Sequence, residues 1–218
     1  MTGVLFAGCC ENEVNSGKQP CDAIVIPVLI DTIGIKYHRL YSDRDFDEME
    51  TAQYQFNYIG TLNDSIYLTY VPFFNYPLDG GSLRKTEFSK YTTDLDNKCE
   101  YKYADSADVC IIVGTFNQES YSVLLKNSDR DTIVIGYGDQ VPLIMEARDS
   151  VGKWQPIQQR FIYYCSTGLS LIYLPPQECV VTLAPVYKGS YETELRLKLG
   201  NNYSKPFKGM IDYRQITQ

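Results

Sequence analysis

Tyr191-Glu192-Thr193-Glu194-Leu195-Arg196-Leu197-Lys198-Leu199 alternates without a break between two kinds of residue. Successive side chains of a β-strand point to opposite faces. Tyr191, Thr193, Leu195, Leu197 and Leu199 therefore share one face, and Glu192, Glu194, Arg196 and Lys198 the other. This is the pattern of an antiparallel strand with one buried and one solvated side. The charged side would also blunt edge-to-edge pairing if the strand lay at a sheet margin.

The same grammar recurs upstream in a repeated phrase: Asp31-Thr32-Ile33-Gly34-Ile35-Lys36-Tyr37, Asp64-Ser65-Ile66-Tyr67-Leu68-Thr69-Tyr70 and Asp131-Thr132-Ile133-Val134-Ile135-Gly136-Tyr137. Asp followed by Ser or Thr favours a turn, because both side chains bond back to nearby backbone amides. Each copy reads as a turn feeding a strand with Ile, Ile or Leu, and Tyr on one face. The stretches between copies do not resemble one another, which argues against a solenoid.

Other strands read from Ala23–Ile30, with Pro27 at an edge or bulge, and from Tyr54–Gly60, which with the second phrase reads as a hairpin. Further strands read from Asp108–Val113, Tyr121–Leu125, Val141–Ala147, Trp154–Ile157, Phe161–Cys165, Leu169–Leu174 and Cys179–Ala184. One short helix is expected from Ser42 to Glu50, with acids crowding its first turn. Residues 72–102 read as a long exposed excursion and a first place to look for a binding surface.

Turn signals about every 8–12 residues with almost no helix indicate an all-β protein, an antiparallel β-sandwich or barrel. The expected organisation is a tether over residues 1–20, an N-terminal β region over 21–115 and a C-terminal β-sandwich over 116–218, with two packed sandwich units as the alternative. In scale the last segment resembles an immunoglobulin-like sandwich. Trp154 precedes both Cys165 and Cys179, so the Cys…Trp…Cys order of antibody domains is missing and the resemblance is one of architecture.

The chain has 218 residues and a net charge of -7, with 19 Tyr against 9 Phe and one Trp. Such a length buries a sizeable core without help from a metal or cofactor. Tyr suits strands with one wet face. An acidic balance without a Lys/Arg-rich run argues against nucleic acid and anionic membrane surfaces as partners.

Leu5-Phe6-Ala7-Gly8-Cys9 resembles the lipobox of bacterial lipoproteins, in which small residues precede a Cys that is acylated. The resemblance implies lipidation at Cys9. No basic segment precedes it and Met1–Gly8 is shorter than a secretory signal, so the expectation is a signal that starts upstream. The acidic stretch Cys10–Gly17 is of the disordered kind and is similar to surface-export signals of some Gram-negative bacteria.

Asp-[Ser/Thr]-apolar triplets place hydroxyls at Thr32, Ser65, Ser106, Thr132 and Ser150. They resemble the O-glycosylation sequon that certain Gram-negative bacteria apply to exported proteins, and equally they are ordinary turn sequences. With Cys9 set aside, Cys10, Cys21, Cys99, Cys110, Cys165 and Cys179 remain, an even number. The simplest of their fifteen pairings joins Cys10 to Cys21, Cys99 to Cys110 and Cys165 to Cys179; buried free thiols are the other reading.

His38 is the single histidine, so multi-His metal sites are excluded. No nucleophile elbow, P-loop or zinc-protease motif occurs. Gly136-Tyr137-Gly138 lacks the third glycine and the helix of a dinucleotide site. Asp43-Arg44-Asp45-Phe46-Asp47 lacks the glycine and the distal Glu of a calcium loop. Trp154, within Gly-Lys-Trp-Gln-Pro-Ile, reads as core. The resulting expectation is a non-catalytic, lipid-anchored binding or structural module of the outer membrane or cell surface, alternatively periplasmic. Its partner would be an unknown protein or glycan, with no cofactor and no membrane contact beyond the lipid. The rival is a carbohydrate-binding or carbohydrate-active protein with an acidic cleft.

Overall fold

The computed structural model describes residues 21, 24–32, 34, 35, 50–69, 89–94, 102–160 and 170–216. Among these no α-helix occurs; the elements are β-strands and two single 3₁₀ turns, Ser89–Tyr91 and Tyr213–Gln215. The short strands β1 (Val28–Ile30), β2 (Glu50–Thr51), β3 (Tyr54–Gln55), β4 (Tyr58–Thr61), β5 (Ser65–Tyr67), β6 (Thr92–Asp94) and β7 (Lys102–Tyr103) come first. Then follow β8 (Val109–Thr115), β9 (Ser120–Asn127), β10 (Ile133–Tyr137), β11 (Gln140–Val141), β12 (Ile144–Arg148), β13 (Trp154–Pro156) and β14 (Gln158–Gln159). The last are β15 (Ser170–Leu174), β16 (Glu178–Pro185), β17 (Tyr191–Leu199), β18 (Asn202–Tyr203) and β19 (Phe207–Ile211).

Three sheets enclose one core in a sandwich-like, mainly antiparallel arrangement. The four-stranded sheet runs β4-β16-β9-β8, the six-stranded sheet β3-β11-β10-β15-β6 with β7 against β10, and the five-stranded sheet β13-β12-β17-β18 with β19 against β17. Val123, Leu125 and Val180 of the first, Ile133, Ile135 and Leu174 of the second, and Met145, Leu195 and Leu197 of the third pack into one apolar cluster. Each such side chain contributes about 1.5–3 kcal/mol by leaving water. Strands from both sides of residues 115 and 116 enter the four- and six-stranded sheets.

The middle strands β9 and β16 are buried along almost their whole length. One face lies on the main core. The other meets a second cluster in which Leu124, Cys179, Val181 and Leu183 lie against Ile66 and Leu68, with Ile24 and Leu29 packed at its side. The two-stranded parallel ribbon β1-β5 carries part of that cover. Double-sided burial explains why Cys179–Ala184, apolar but for Thr182, does not alternate.

Several expectations are corrected. Tyr54–Gly60 and the second repeated phrase do not form a hairpin: β4 pairs with β16, whereas β5 pairs with β1. The ribbon is drawn away because Ile66 and Leu68 bury on the far face of the four-stranded sheet. In the phrase beginning at Asp31, the described residues Gly34 and Ile35 belong to no strand. The Asp31 carboxylate accepts the amides of Gly34 at 2.9 Å and Ile35 at 2.8 Å, which closes a turn after β1. The copy beginning at Asp131 feeds β10, but a register shift between Val134 and Gly136 moves Tyr137 to the outer cluster with Val134. Strand β17 lies inside its sheet, between β12 and β18/β19, so its charged face does not guard a margin.

Cys21 is bonded to Cys110, 89 positions away, and not to Cys10; Cys99 therefore does not pair with Cys110. Sequence proximity misleads here because Cys110 projects from β8 on the side with Ile112, where the N-terminal segment lies. Cys179 is a buried free thiol and not a partner of Cys165. Burial, and next the nearby negative charge of Glu178, push that thiol up to about 12.

Candidate functional site

The outward face of the five-stranded sheet is where chemistry gathers. On β17 the alternation that buries Leu195, Leu197 and Leu199 aims Glu194, Arg196 and Lys198 outward. Antiparallel register then sets their neighbours. Glu146 on β12 stands opposite Arg196, and Lys198 stands opposite both Ile144 and Tyr203. Trp154 on β13 stands opposite Arg148, and Lys208 on β19 opposite Glu194.

Glu146 is the anchor. Its side chain is only 8% exposed, and its Oε2 accepts from Arg196 Nε at 2.7 Å and Nη2 at 2.6 Å. Lys198 Nζ lies 3.5 Å from the other oxygen. A carboxylate removed from water needs such partners, since an unpaired buried charge is costly. Arg196 is held by aromatic rings as well: its guanidinium lies 4.3 Å from the Trp154 ring centroid and 4.1 Å from that of Tyr203. Rings carry a negative face, so each such contact contributes about 0.5–1 kcal/mol or more.

A second ion pair runs alongside, Arg148 Nη1 to Glu194 Oε2 at 3.2 Å, with Arg148 also 5.0 Å from the Trp154 ring. Both of its side chains are close to half exposed. The hairpin that presents Arg148 and Trp154 is built on Asp149, whose Oδ1 accepts the amides of Val151 at 3.0 Å and Lys153 at 2.8 Å. Its Oδ2 accepts from Gln155 Nε2. Gly152, at φ +83°, supplies the left-handed residue the turn needs.

Rigidity comes from below and from the side. Asn202 accepts the amide of Val109 and donates to the carbonyls of Ala104 and Ala107, tying the start of β18 to the loop before β8. Ser204 Oγ accepts from Leu197 N. Tyr203 is thereby fixed at the sheet surface, 45% exposed. The arrangement can stack on a flat ligand and donate several charge-assisted hydrogen bonds.

Trp154 is corrected from core to outer face, where it is partly exposed. A strand of Trp-Gln-Pro alternates too briefly to show which side faces inward. The charged face of β17 was legible in sequence as solvated; its ring partners Trp154 and Tyr203, brought in by β13 and β18, were not. Other candidates are not brought together. Thr32, Ser65, Ser106 and Ser150 are exposed and Thr132 is half-buried, each beside a turn. Cys9, Cys10, Cys99, Cys165, His38, Asp43–Asp47, the strand expected at Phe161–Cys165 and most of residues 72–102 lie outside the described residues. Of the helix expected at Ser42–Glu50 only Glu50 is described, and it belongs to β2. Gly136–Gly138 turns β10 into β11.

Among the described residues no group of three or more His, Cys, Asp or Glu side chains is placed to hold a metal ion. The chain matches no protein-family model, no curated protein and no solved structure.

Proposed function

We propose that the chain is a non-catalytic binding module of the cell envelope, exported and lipid-anchored through Cys9, that engages a cell-surface partner with the outward face of its five-stranded sheet. The observation that carries the reading is Arg196 held between Trp154 and Tyr203 over a buried Glu146. Trp, Tyr and Arg are the residues that most often dominate recognition surfaces.

The Cys21–Cys110 bridge supports an oxidising compartment, since disulfides persist outside the cytosol. Exposure of the hydroxyls at Thr32, Ser65, Ser106 and Ser150 supports their availability to a glycosylating enzyme. The partner is a protein or a glycan at the outer membrane or cell surface, and membrane contact runs through the lipid alone.

Intact mass and fractionation of the protein purified from its native host test this. The expected result is a membrane-fraction protein carrying a diacylglyceryl group on Cys9, with an intact bridge. Unacylated Cys9 in a cytosolic protein with reduced Cys21 and Cys110 would overturn it.

A further inference from the structure

We infer that this face is a glycan subsite for an acidic sugar: a pyranose stacks on Tyr203 beside Trp154, and its carboxylate is received by Lys198 and Arg196. The inference rests on the reading of the sheet face as the binding surface and adds the chemical class of its ligand.

Charge decides the first part. Arg196 and Lys198, two residues apart on β17, share a single carboxylate, Glu146. Across the sheet, Arg148 and Lys208 flank a single carboxylate, Glu194, from either side. Each carboxylate thus stands against two cations, on a chain whose net charge is -7. Glu192, the next outward residue of β17, stands opposite Met210 at the far end of the strand. A local positive surplus on an acidic protein is a specific invitation to an anion, because the remaining surface repels one. Lys198 is the group with capacity to spare: Arg196 occupies Glu146 Oε2 at short range, Lys198 reaches the other oxygen only at 3.5 Å, and its side chain is 37% exposed.

Position decides the second part. Lys198 Nζ lies over the Tyr203 ring, 5.7 Å from its centroid, so an anion accepted there sits next to an aromatic side chain. Ring and cation together match a sugar that offers C–H groups on one face and a carboxylate at its rim. A simple phosphate or chloride would use the cations and make no contact with the exposed part of Tyr203.

Size decides against a protein partner. The face is four strands wide, about 14 Å between its outer strands, and its longest strand, β17 with nine residues, extends about 30 Å. That is roughly half of the ~800 Å² that a stable protein interface takes from each partner. It suits a short oligosaccharide laid across β17.

The test uses the full chain with its bridge intact. Titration calorimetry compares an oligogalacturonate, the uncharged oligogalactoside of equal length and polyglutamate, with the wild type and with Tyr203→Ala, Lys198→Gln and, off the face, Tyr67→Ala. Near-ultraviolet circular dichroism checks that each variant is folded. The same proteins are applied to envelope fragments of the native host, together with Trp154→Ala. The expected result is oligogalacturonate binding that weakens with salt. It falls about tenfold or more in Tyr203→Ala and Lys198→Gln, is unchanged in Tyr67→Ala, and exceeds binding of the other two probes by a similar factor. Polyglutamate binding as tightly as the uronate would overturn the inference in favour of any polyanion. No probe binding, with envelope attachment still abolished by Trp154→Ala and Tyr203→Ala, would overturn the acidic sugar and leave the binding face standing. No probe binding and envelope attachment indifferent to both variants would overturn the face itself.

Discussion

Replacing Cys21 and Cys110 together by Ala opens a loop that the bridge closes across 89 positions of sequence. In the unfolded chain that closure forbids most of the conformations available to residues 22–109. Loop-closure entropy for this length is about 15.5 cal/mol/K, or about 4.6 kcal/mol at 25 °C. Native packing changes less, because Cys21 is exposed and only Cys110, 4% exposed, leaves a gap in a sheet face. Urea unfolding followed by tyrosine fluorescence is the assay, with wild type and double variant compared at equal pH and with free thiols blocked. The midpoint should drop, and the slope with denaturant should rise as the opened chain exposes more surface. In thermal melts the same loss corresponds to about 10–18 °C for a chain of this size. A loss below about 1 kcal/mol would refute the reasoning, since it would mean that the unfolded state is already held compact or that the loop is not closed in the native protein.

Arg196→Ala leaves Glu146 buried with only the distant Lys198, and should cost about 3 kcal/mol in urea unfolding; replacing Arg196 and Glu146 together by Met should recover most of it, and equal losses in both variants would argue against the pairing. Asn202→Ala strands the amide of Val109 and the carbonyls of Ala104 and Ala107. A loss of about 2 kcal/mol and faster hydrogen exchange at Val109 are expected, and unchanged exchange there would count against the tie. Asp212 caps the last 3₁₀ turn, and its hydrogen bond with the Arg214 side chain, then that with the Arg214 amide, lowers it to about 2. Because the folded value lies below the ordinary 3.8, the stabilisation is present above about pH 4 and is lost as pH falls through about 2. A carboxyl NMR titration of Asp212 with its midpoint near 3.8 would contradict this.

Local patterns carried a good part of the fold. The alternation of Tyr191–Leu199 predicts β17 and its buried face, and the Asp-Ser-Val triplet at Asp149 predicts a turn, which the structure places between β12 and β13; in both, residues close in sequence set the local geometry. The charged side of β17 was visible for the same reason, whereas the surplus of cations there came only with Arg148 and Lys208. The largely apolar run of Cys179–Ala184 shows a strand, but which layers cover it depends on β1 and β5, more than a hundred residues earlier in the chain.

Every property set within one strand or turn was legible in the residues alone: the all-β class, the alternation of β17 and the Asp-led turns. What the tertiary structure decided is which strands meet. It sent β4 and β5 to different sheets, joined Cys21 to Cys110 over Cys10, and turned Trp154 outward to meet Arg196 and Tyr203. Backbone periodicity is a local constraint that a few adjacent side chains satisfy, whereas pairing is chosen by burial summed over the whole core, and no single stretch of the chain contains that sum.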